Sequence, residues 1–516
     1  MRIIFTLSLL FSSLLLMAQA GSLDETFGNR GITSTAFGSY VLSATSIGTQ
    51  SDGKIVLAGY GEDGFDEDIV LVRYLPDGQL DADFGQEGRQ SLNIRGFESR
   101  CFDLAIDPAD NIYLTGIINN INFQRKGFVV KLNSDGELDV NFADDGVWIS
   151  DVRNDVEDYQ AILFQEDNKI LVAGMASVLQ ESNRCILVRL FSDGGIDMNF
   201  GNNGFAEVVM PENYNPQFAQ RNSKGDIITG GFLLGNSTDV VLVKFDSEGK
   251  PDSTFGEQGI MVDDTNVTEF ARSMVIQDDD KILVGAGVDA STVDDFGLIR
   301  YNEDGTLDQS FGTGGRVATD FFQSRNTAHS ILLQEDGKII LGGFAGTNPN
   351  RNFAIARYDE TGQLDETFGN SGKVSTDFGF NDFLFTMTLQ ADGKLLGAGH
   401  SVTANDASLF SIARYNTRTG TSVQDFIPGI DLVELFPNPS RGEFTLWFES
   451  AQSTTAAISL INAKGQLVQN ISDAHKITEG VNQLDFSLAD QVGAGVFFLK
   501  IATSEGTLFK KLIVTR

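Results

Sequence analysis

Side chains suited to proton transfer or metal binding are scarce in this chain. Its 516 residues include three histidines, His329, His400 and His475. None sits in an HExxH or similar metal-holding pair, no GxSxG elbow presents a nucleophile, and no glycine-rich phosphate loop is present. His329 stands where the preceding unit of an internal repeat carries Arg272, so an imidazole and a guanidinium occupy equivalent positions at the start of equivalent strands. That makes Arg272 and His329 a candidate site. The 71 Asp and Glu residues make glycosidase-like carboxylate pairs conceivable, but none can be singled out.

Two other chemistries deserve weighing. NSDGELD from Asn133 and NEDGTLD from Asn302 place oxygens at alternate positions, like part of a calcium loop. Glycine comes too early for an EF-hand and no bidentate Glu closes the loop, so ordinary glycine turns are expected. No cofactor is predicted, with calcium left open. The two cysteines, Cys101 and Cys185, fall on different strand types of adjacent units and form no metal-like pair. Semi-buried thiols are expected, although an exported protein also permits a disulfide.

The elements that must position these residues follow from the repeat. LDETFGNRG at Leu23–Gly31 returns as LDADFGQEG at Leu80, LDVNFADDG at Leu138, IDMNFGNNG at Ile196, PDSTFGEQG at Pro251, LDQSFGTGG at Leu307 and LDETFGNSG at Leu364, with a period of about 57 residues. Each unit holds four strand candidates. In one unit they are Thr327–Gln334, Lys338–Phe344, Asn352–Tyr358 and Lys373–Phe378, with a hairpin turn at Asp336-Gly337-Lys338. The middle strands are almost continuously apolar, as in DIVLVRY at Asp68–Tyr74, which indicates burial on both faces. Four-stranded antiparallel sheets stacked radially make a β-propeller, and seven anchors predict seven blades. The phase of the repeat predicts that Ile32–Phe37 completes the last blade beside Leu409–Tyr415.

Repeated residues are expected to be scaffold. Phe27, Phe84, Phe142, Phe200, Phe255, Phe311 and Phe368 should wedge between blades. Asp24, Asp81, Asp139, Asp197, Asp252, Asp308 and Asp365 should cap one tight turn each. The third strands carry Arg73, Lys131, Arg189, Lys244, Arg300, Arg357 and Arg414, expected to pair with those aspartates or with turn carbonyls. Function is then expected on the opposite face, where the variable loops run. Each blade-to-blade segment there has an aromatic: Tyr40, Phe97, Tyr159, Tyr214, Phe270, Phe322 and Phe380. Such a ring could stack on sugars or anchor a protein, or simply plug the end of the core. Arg272 and His329 lie near the channel mouth on the same reading.

The string DGxLDxxFG, with DGKI and a strand ending RY, resembles the delta-60 repeat family over about 23–416. Some copies drift, with Pro251 for Leu, Ala143 for Gly, and Ser223-Lys224-Gly225-Asp226 for the usual turn. The resemblance implies a propeller-like repeat and no particular reaction. The C-terminal segment reads LFPNPSRGEF at Leu435–Phe444, then ISLINAKGQLV, GVNQLDFSL, GVFFLKI and a final KKLIVTR. It is similar to the type A sorting domain of type IX secretion, with Pro437, Asn438, Pro439, Gly442 and Phe444 in the sorting motif. That resemblance implies handling by the type IX machinery, removal of the tail, and release or attachment at the cell surface.

Charge and targeting agree with export. Arg2, the apolar run Ile3–Met17 and Ala18-Gln19-Ala20 read as a signal peptide cut before Gly21. No later stretch is long enough for a membrane span. The net charge of −34 lies almost wholly in residues 21–430, which repels nucleic acid and anionic lipid. The expected architecture is all-β: signal peptide 1–20, a seven-bladed β-propeller over 21–416 closed by an N-terminal strand, a linker 417–430, and a small C-terminal β-sandwich over 431–516. The expected function is a secreted or surface-attached, monomeric, non-catalytic binding or structural module for a polysaccharide or a protein. The alternative is an extracellular polysaccharide hydrolase or lyase.

Overall fold

In the computed structural model of this chain, all regular elements among the described residues are strands. The structure describes residues 19–418 apart from 39, 63, 65–66, 120–124, 153–155, 166, 178–181, 212, 236, 266, 290–293 and 380. It also describes residues 430–515 apart from 437–439, 463–466, 490–491, 494 and 504–506. The signal segment through Ala18, Phe380, Pro437, Asn438 and Pro439 therefore lie outside the described residues. Two compact units result, one over Gln19–Arg418 and one over the described residues from Ile430 onward.

The first unit is seven four-stranded antiparallel sheets. In the sixth, Asn326–Leu333, Ile339–Thr347, Asn350–Tyr358 and Lys373–Thr376 pair in sequence order. The first strand of each sheet packs against the first strands of both neighbours, and the seventh packs back on the first, so these strands line the inside of a closed ring. The second and third strands are nearly all buried, because each is covered by blades on both faces. The seventh sheet is completed by Ile32–Thr35, which pairs with the last repeat strand in the register Ile32↔Ala413 to Thr35↔Phe410.

The repeated residues build one joint seven times. All seven wedge phenylalanines are at most 1% exposed. Each repeated Asp does two things. One carboxylate oxygen accepts the backbone N–H two residues on, as Asp308 does from Ser310 at 3.0 Å. The other meets the third-strand Arg or Lys at 2.7–3.3 Å in every blade. In five blades the guanidinium also lies over the wedge Phe, 4.4–4.6 Å from its ring centre. The same Arg then crosses to the next blade: Arg300 Nη1 donates to Glu360 O at 2.7 Å, and Arg414 Nη1 to Pro76 O at 2.6 Å. A buried cation is thus matched by a carboxylate, a ring face and a carbonyl, which offsets its desolvation.

The second unit consists of a three-stranded sheet of Ile430–Phe436, Glu443–Ser450 and Gly480–Ser487, and a four-stranded sheet built from Thr454–Asn462, Leu467–Ile477, Gly495–Ala502 and Thr507–Val514. Phe444, Leu446 and Phe448 of one sheet share a core with Ile458, Leu460 and Leu499 of the other. This is the two-layer arrangement expected of a small sandwich. Phe444 is buried in that core, and the Gly442 N–H donates to Ser440 Oγ at 2.9 Å.

Candidate functional site

The inner strands share a feature that the sequence pattern did not reveal. Each carries a one-residue bulge, at Thr45, Phe102, Gln160, Gln217, Arg272, His329 and Phe385. A bulged residue has no partner in the ladder and its side chain is re-aimed. The second strand makes room for the kink. A Cβ on Gly343 would fall 1.9 Å from Thr327 O, and one on Gly399 would fall 1.8 Å from Phe383 O. Bulge residues of neighbouring blades meet across the inner rim: Arg272 Nη1 donates to Gln217 Oε1 at 3.3 Å, and His329 and Phe385 ring centres are 4.6 Å apart.

One arc of this rim forms a cleft of about 580 Å³. The fifth blade contributes Phe270 and Arg272, the sixth Thr327, His329, Phe344 and Arg351, and the seventh Phe383 and Phe385, with Asp294 and Arg325 beside them. These residues come from the beginnings of inner strands, the ends of second strands and the beginnings of third strands. By register, all of those lie toward the variable-loop end.

The cleft is a stacked aromatic assembly with cations at its edges. His329 stacks on Phe344 at 5.5 Å and 26°, Phe383 meets Phe344 edge-on at 4.9 Å, and His400 lies over Phe385 at 5.3 Å and 25°. Arg272 lies over Phe232 and Phe270 at 5.3 and 5.9 Å, and Arg351 over Phe344 and Phe383 at 5.7 and 5.4 Å. Burial pushes the His329 pKa down to about 3, helped by the charge of Arg272, and pushes His400 down to about 4. Both imidazoles are therefore neutral near pH 7. The single carboxylate lining the cleft among the described residues, Asp294, accepts from Arg325 Nε at 2.6 Å.

The loop aromatics are not equivalent in the structure. Tyr159 and Tyr214 are at most 2% exposed and present no ring face to solvent. Tyr159 bonds through its hydroxyl to Ser150 at 2.9 Å and Glu157 at 3.1 Å. Tyr40 is half-buried and donates to Asp68 at 3.0 Å, and Phe97 packs on the core of the first two blades. Phe322 is 65% exposed. Of the seven, Phe270 alone among the described residues lines the cleft. It stands there with Arg272 and His329, the two other singled-out residues. Phe344, Phe383, Phe385, Arg351 and His400 were not singled out, because the packing of neighbouring blades, which sequence spacing does not show, is what brings them together.

Other candidate chemistry is weaker. A hollow of about 820 Å³ is lined by Phe37, Tyr40, Arg89 and the acidic Asp83, Glu87, Asp135 and Glu137, mostly from repeated turns. Cys101 and Cys185 are free thiols, both 0% exposed, a correction to the semi-buried expectation that follows from their facing blade interfaces. Burial pushes the Cys185 thiol up to about 12. Among the described residues no group of three or more His, Cys, Asp or Glu is arranged to hold a metal. Asn133, in the calcium-like string, uses Oδ1 to accept from Asp135 N and Glu137 N at 3.0 and 2.9 Å.

Comparison with known proteins identifies both units. Residues 50–84, 109–142, 165–200, 277–311, 334–368 and 390–421 match the DUF5122 beta-propeller, a domain of unknown function. The longest unmatched stretch between these segments, 201–276, contains the drifted turn Ser223–Asp226 and Pro251. Residues 434–515 match the secretion system C-terminal sorting domain, which marks the protein for type IX export to the cell surface or the extracellular space. No curated protein matches the chain. Similar solved structures include a PL25 ulvan lyase, at 11% identity and TM-score 0.43, covering 75% of this chain and 96% of that one. A protein of unknown function from Dyadobacter fermentans is 11% identical with TM-score 0.38, covering 75% and 100%. Sqt1 from Chaetomium thermophilum is 10% identical with TM-score 0.40, covering 80% and 95%. No helix among the described residues is long and apolar enough to cross a membrane.

Proposed function

We propose that this exported chain, which carries DUF5122 β-propeller repeats and a type IX sorting domain, is a non-catalytic binding module that takes a glycan chain in the cleft of its fifth to seventh blades. The observation that carries this reading is the convergence of Phe344, Phe383 and Phe385 with the guanidinium groups of Arg272 and Arg351 around one concavity. Ring faces stack on the C–H faces of sugars, while guanidinium groups donate in fixed directions to ring substituents. A volume of about 580 Å³ falls within the range of small-ligand sites, enough for a few sugar units.

The enzymatic alternative finds less support. Hydrolysis by paired carboxylates needs two, about 5–10 Å apart. Among the described residues Asp294 is the one carboxylate that lines the cleft, and Arg325 already engages it. The feature nearest to such chemistry is the imidazole of His329 beside Arg272, but burial that holds its pKa down to about 3 makes it a weak base.

The test is retention of the full-length exported protein on a panel of insoluble and surface polysaccharides. Selective retention, competed by the soluble sugar and weakened about fivefold or more in Phe383→Ala, is the expected result; truncating a ring that carries binding costs more than about 1 kcal/mol. No retention on any member overturns the glycan reading. The same incubations are assayed for new chain ends; their appearance, and its loss in His329→Ala, would favour the enzyme.

A further inference from the structure

The cleft holds positive charge that the protein itself does not neutralise. Arg272 and Arg351 take part in no ion pair among the described residues, and the Nε atom of each is buried without a hydrogen-bond partner. Among the described residues the Arg272 side chain makes a single hydrogen bond, to the neutral Gln217 amide at 3.3 Å. The third-strand guanidinium groups of the propeller, by contrast, are matched. Arg73, Arg189, Arg300, Arg357 and Arg414 each hold a carboxylate. Arg100 is the nearest control: it also lies on an inner strand and over an aromatic ring, Tyr60 at 5.2 Å, but Glu67 grips it through both carboxylate oxygens. The six positions equivalent to Arg272 are Thr45, Phe102, Gln160, Gln217, His329 and Phe385, so the cation is a local departure from the repeat.

Leaving a charged donor buried and unmatched is costly, and a protein with net charge −34 has carboxylates to spare. Among the described residues the cleft nevertheless offers Arg272 no acid, and its lone carboxylate is held by Arg325. Burial draws the Arg272 pKa below its usual value, the direction expected of a cation that lacks its counter-charge. His329 and His400 stay neutral and add no competing charge.

We infer that the ligand is an acidic glycan, and that Arg272 and Arg351 together hold a carboxylate or sulfate group on a sugar ring while the neighbouring phenylalanines carry its apolar faces. This rests on the glycan reading above and narrows it. Guanidinium groups match planar carboxylates and sulfate oxygens through paired N–H donors, and the apolar walls strengthen that contact by excluding water. The acidic exterior repels such a polymer at long range, so selectivity comes from this one matched point and not from general attraction.

The probes are polygalacturonate against its carboxyl-reduced form, and dextran sulfate against dextran, titrated into the full-length protein by calorimetry. The expected result is at least tenfold tighter binding of one acidic member than of its neutral counterpart, with the preference shrinking as salt is raised. Which pair shows it identifies the anion as carboxylate or sulfate. Arg272→Gln and Arg351→Gln should each remove most of the preference, Arg272→Lys should keep part of it, and Arg100→Gln should leave it intact. Near-ultraviolet circular dichroism checks that each variant is folded. Equal affinity for acidic and neutral partners, or a preference untouched by both glutamine variants, overturns the anion assignment while leaving a glycan site standing. Failure to bind any of the four probes, with no retention on the wider panel, overturns both.

Discussion

Arg414 Nε donates to Asp24 Oδ2 at 2.8 Å, although 390 residues separate the two. The same joint in the fifth blade, Arg300 to Asp308 at 2.8 Å, spans eight residues. One chemical contact therefore serves as a local turn clamp in most blades and as the ring closure in the seventh. Asp24 also receives Lys394 at 2.8 Å. Asp24→Ala leaves Arg414 buried and unmatched, which costs about 3–5 kcal/mol. Because Asp24 sits in the terminal segment, the loss also allows the closing strand Ile32–Thr35 to open as a unit. Asp24→Ala is expected to lower the melting temperature, and to admit proteolytic cuts near residues 19–37 well below it. Asp308→Ala should lower the melting temperature without that early nicking. Identical proteolysis patterns would contradict a special role for the seventh joint.

The closing segment begins earlier than the cleavage signal suggests. Ala20-Gly21 occupies in the seventh blade the place of Asp77-Gly78 in the first. Gly21 and Gly78 both have φ of 87°, and Gly369 N donates to Ala20 O at 2.7 Å as Gly28 N does to Asp77 O at 2.7 Å. Ala20 is 0% exposed, and Gln19 Nε2 donates to Gly369 O at 2.7 Å. A cut before Gly21 removes these partners, whereas a cut before Gln19 keeps them. Leaving the Gly369 N–H without its acceptor costs about 1–3 kcal/mol. Versions starting at Gln19 and at Gly21, compared by chemical denaturation, should differ by that amount in favour of Gln19. Equal midpoints would refute it, and the intact mass of the exported protein reports which form the cell makes.

The scaffold was legible because its joint is written in step: Asp, then Phe three residues on, then a basic residue at the end of each third strand. A sevenfold coincidence of that kind leaves little freedom in phase, and phase alone placed Ile32 beside the last repeat. The cleft was only half legible. Arg272 and His329 stand out as departures from the repeat, but nothing in TAHSILLQ says that His329 drops out of the ladder. The signal lay in the partner strand, at glycines such as Gly343, whose backbone touches Thr327 O too closely for a side chain. For two of the loop aromatics, Tyr159 and Tyr214, a shift of one residue along a strand start decides between cleft and core. Phe270 lines the cleft, whereas Tyr214, one residue off its equivalent position, is buried between the third and fourth blades.

Four carboxylates raised by burial, Glu269, Asp382, Asp103 and Asp158, shape the pH response. Burial pushes Glu269 up to about 7 despite Arg316 Nε at 3.1 Å, and pushes Asp382 and Asp103 up to about 6 each. Their folded values lie above the unfolded ones near 4, so between about pH 4 and 7 the folded state binds more protons and stability falls as pH rises. Asp24 and Asp308 act oppositely. Burial alone would raise them, but for Asp24 the contacts with Lys394, Thr26 and Arg414, and for Asp308 those with Ser310 and Arg300, outweigh it and hold each at about 2. Their contribution is present above about pH 4 and is lost as pH falls toward 2. Melting temperature should therefore peak at mildly acidic pH, roughly 4 to 5. Glu269→Gln should flatten the decline on the neutral side, and an unchanged slope between pH 5 and 7 would clear Glu269 of that role.

Calcium is the remaining question about the repeated turns. In NSDGELD the Asn133 side chain already caps Asp135 N and Glu137 N and donates from Nδ2 to Glu137 Oε2 at 3.2 Å. In NEDGTLD, Asp304 Oδ1 accepts from Thr306 N at 2.9 Å and from Thr306 Oγ1 at 2.6 Å. The oxygens a cation would need are thus engaged in holding the turn, and a hard cation needs six or more of them. A resident ion at a hundred times its dissociation constant would add about 2.7 kcal/mol, enough to move the melting temperature by several degrees. Chelation of the exported protein is therefore expected to leave its melting temperature within about 1 °C, well under the shift that linkage requires. A larger fall, restored by calcium and abolished in Asp135→Asn or Asp304→Asn, would show that these turns exchange their internal hydrogen bonds for a metal.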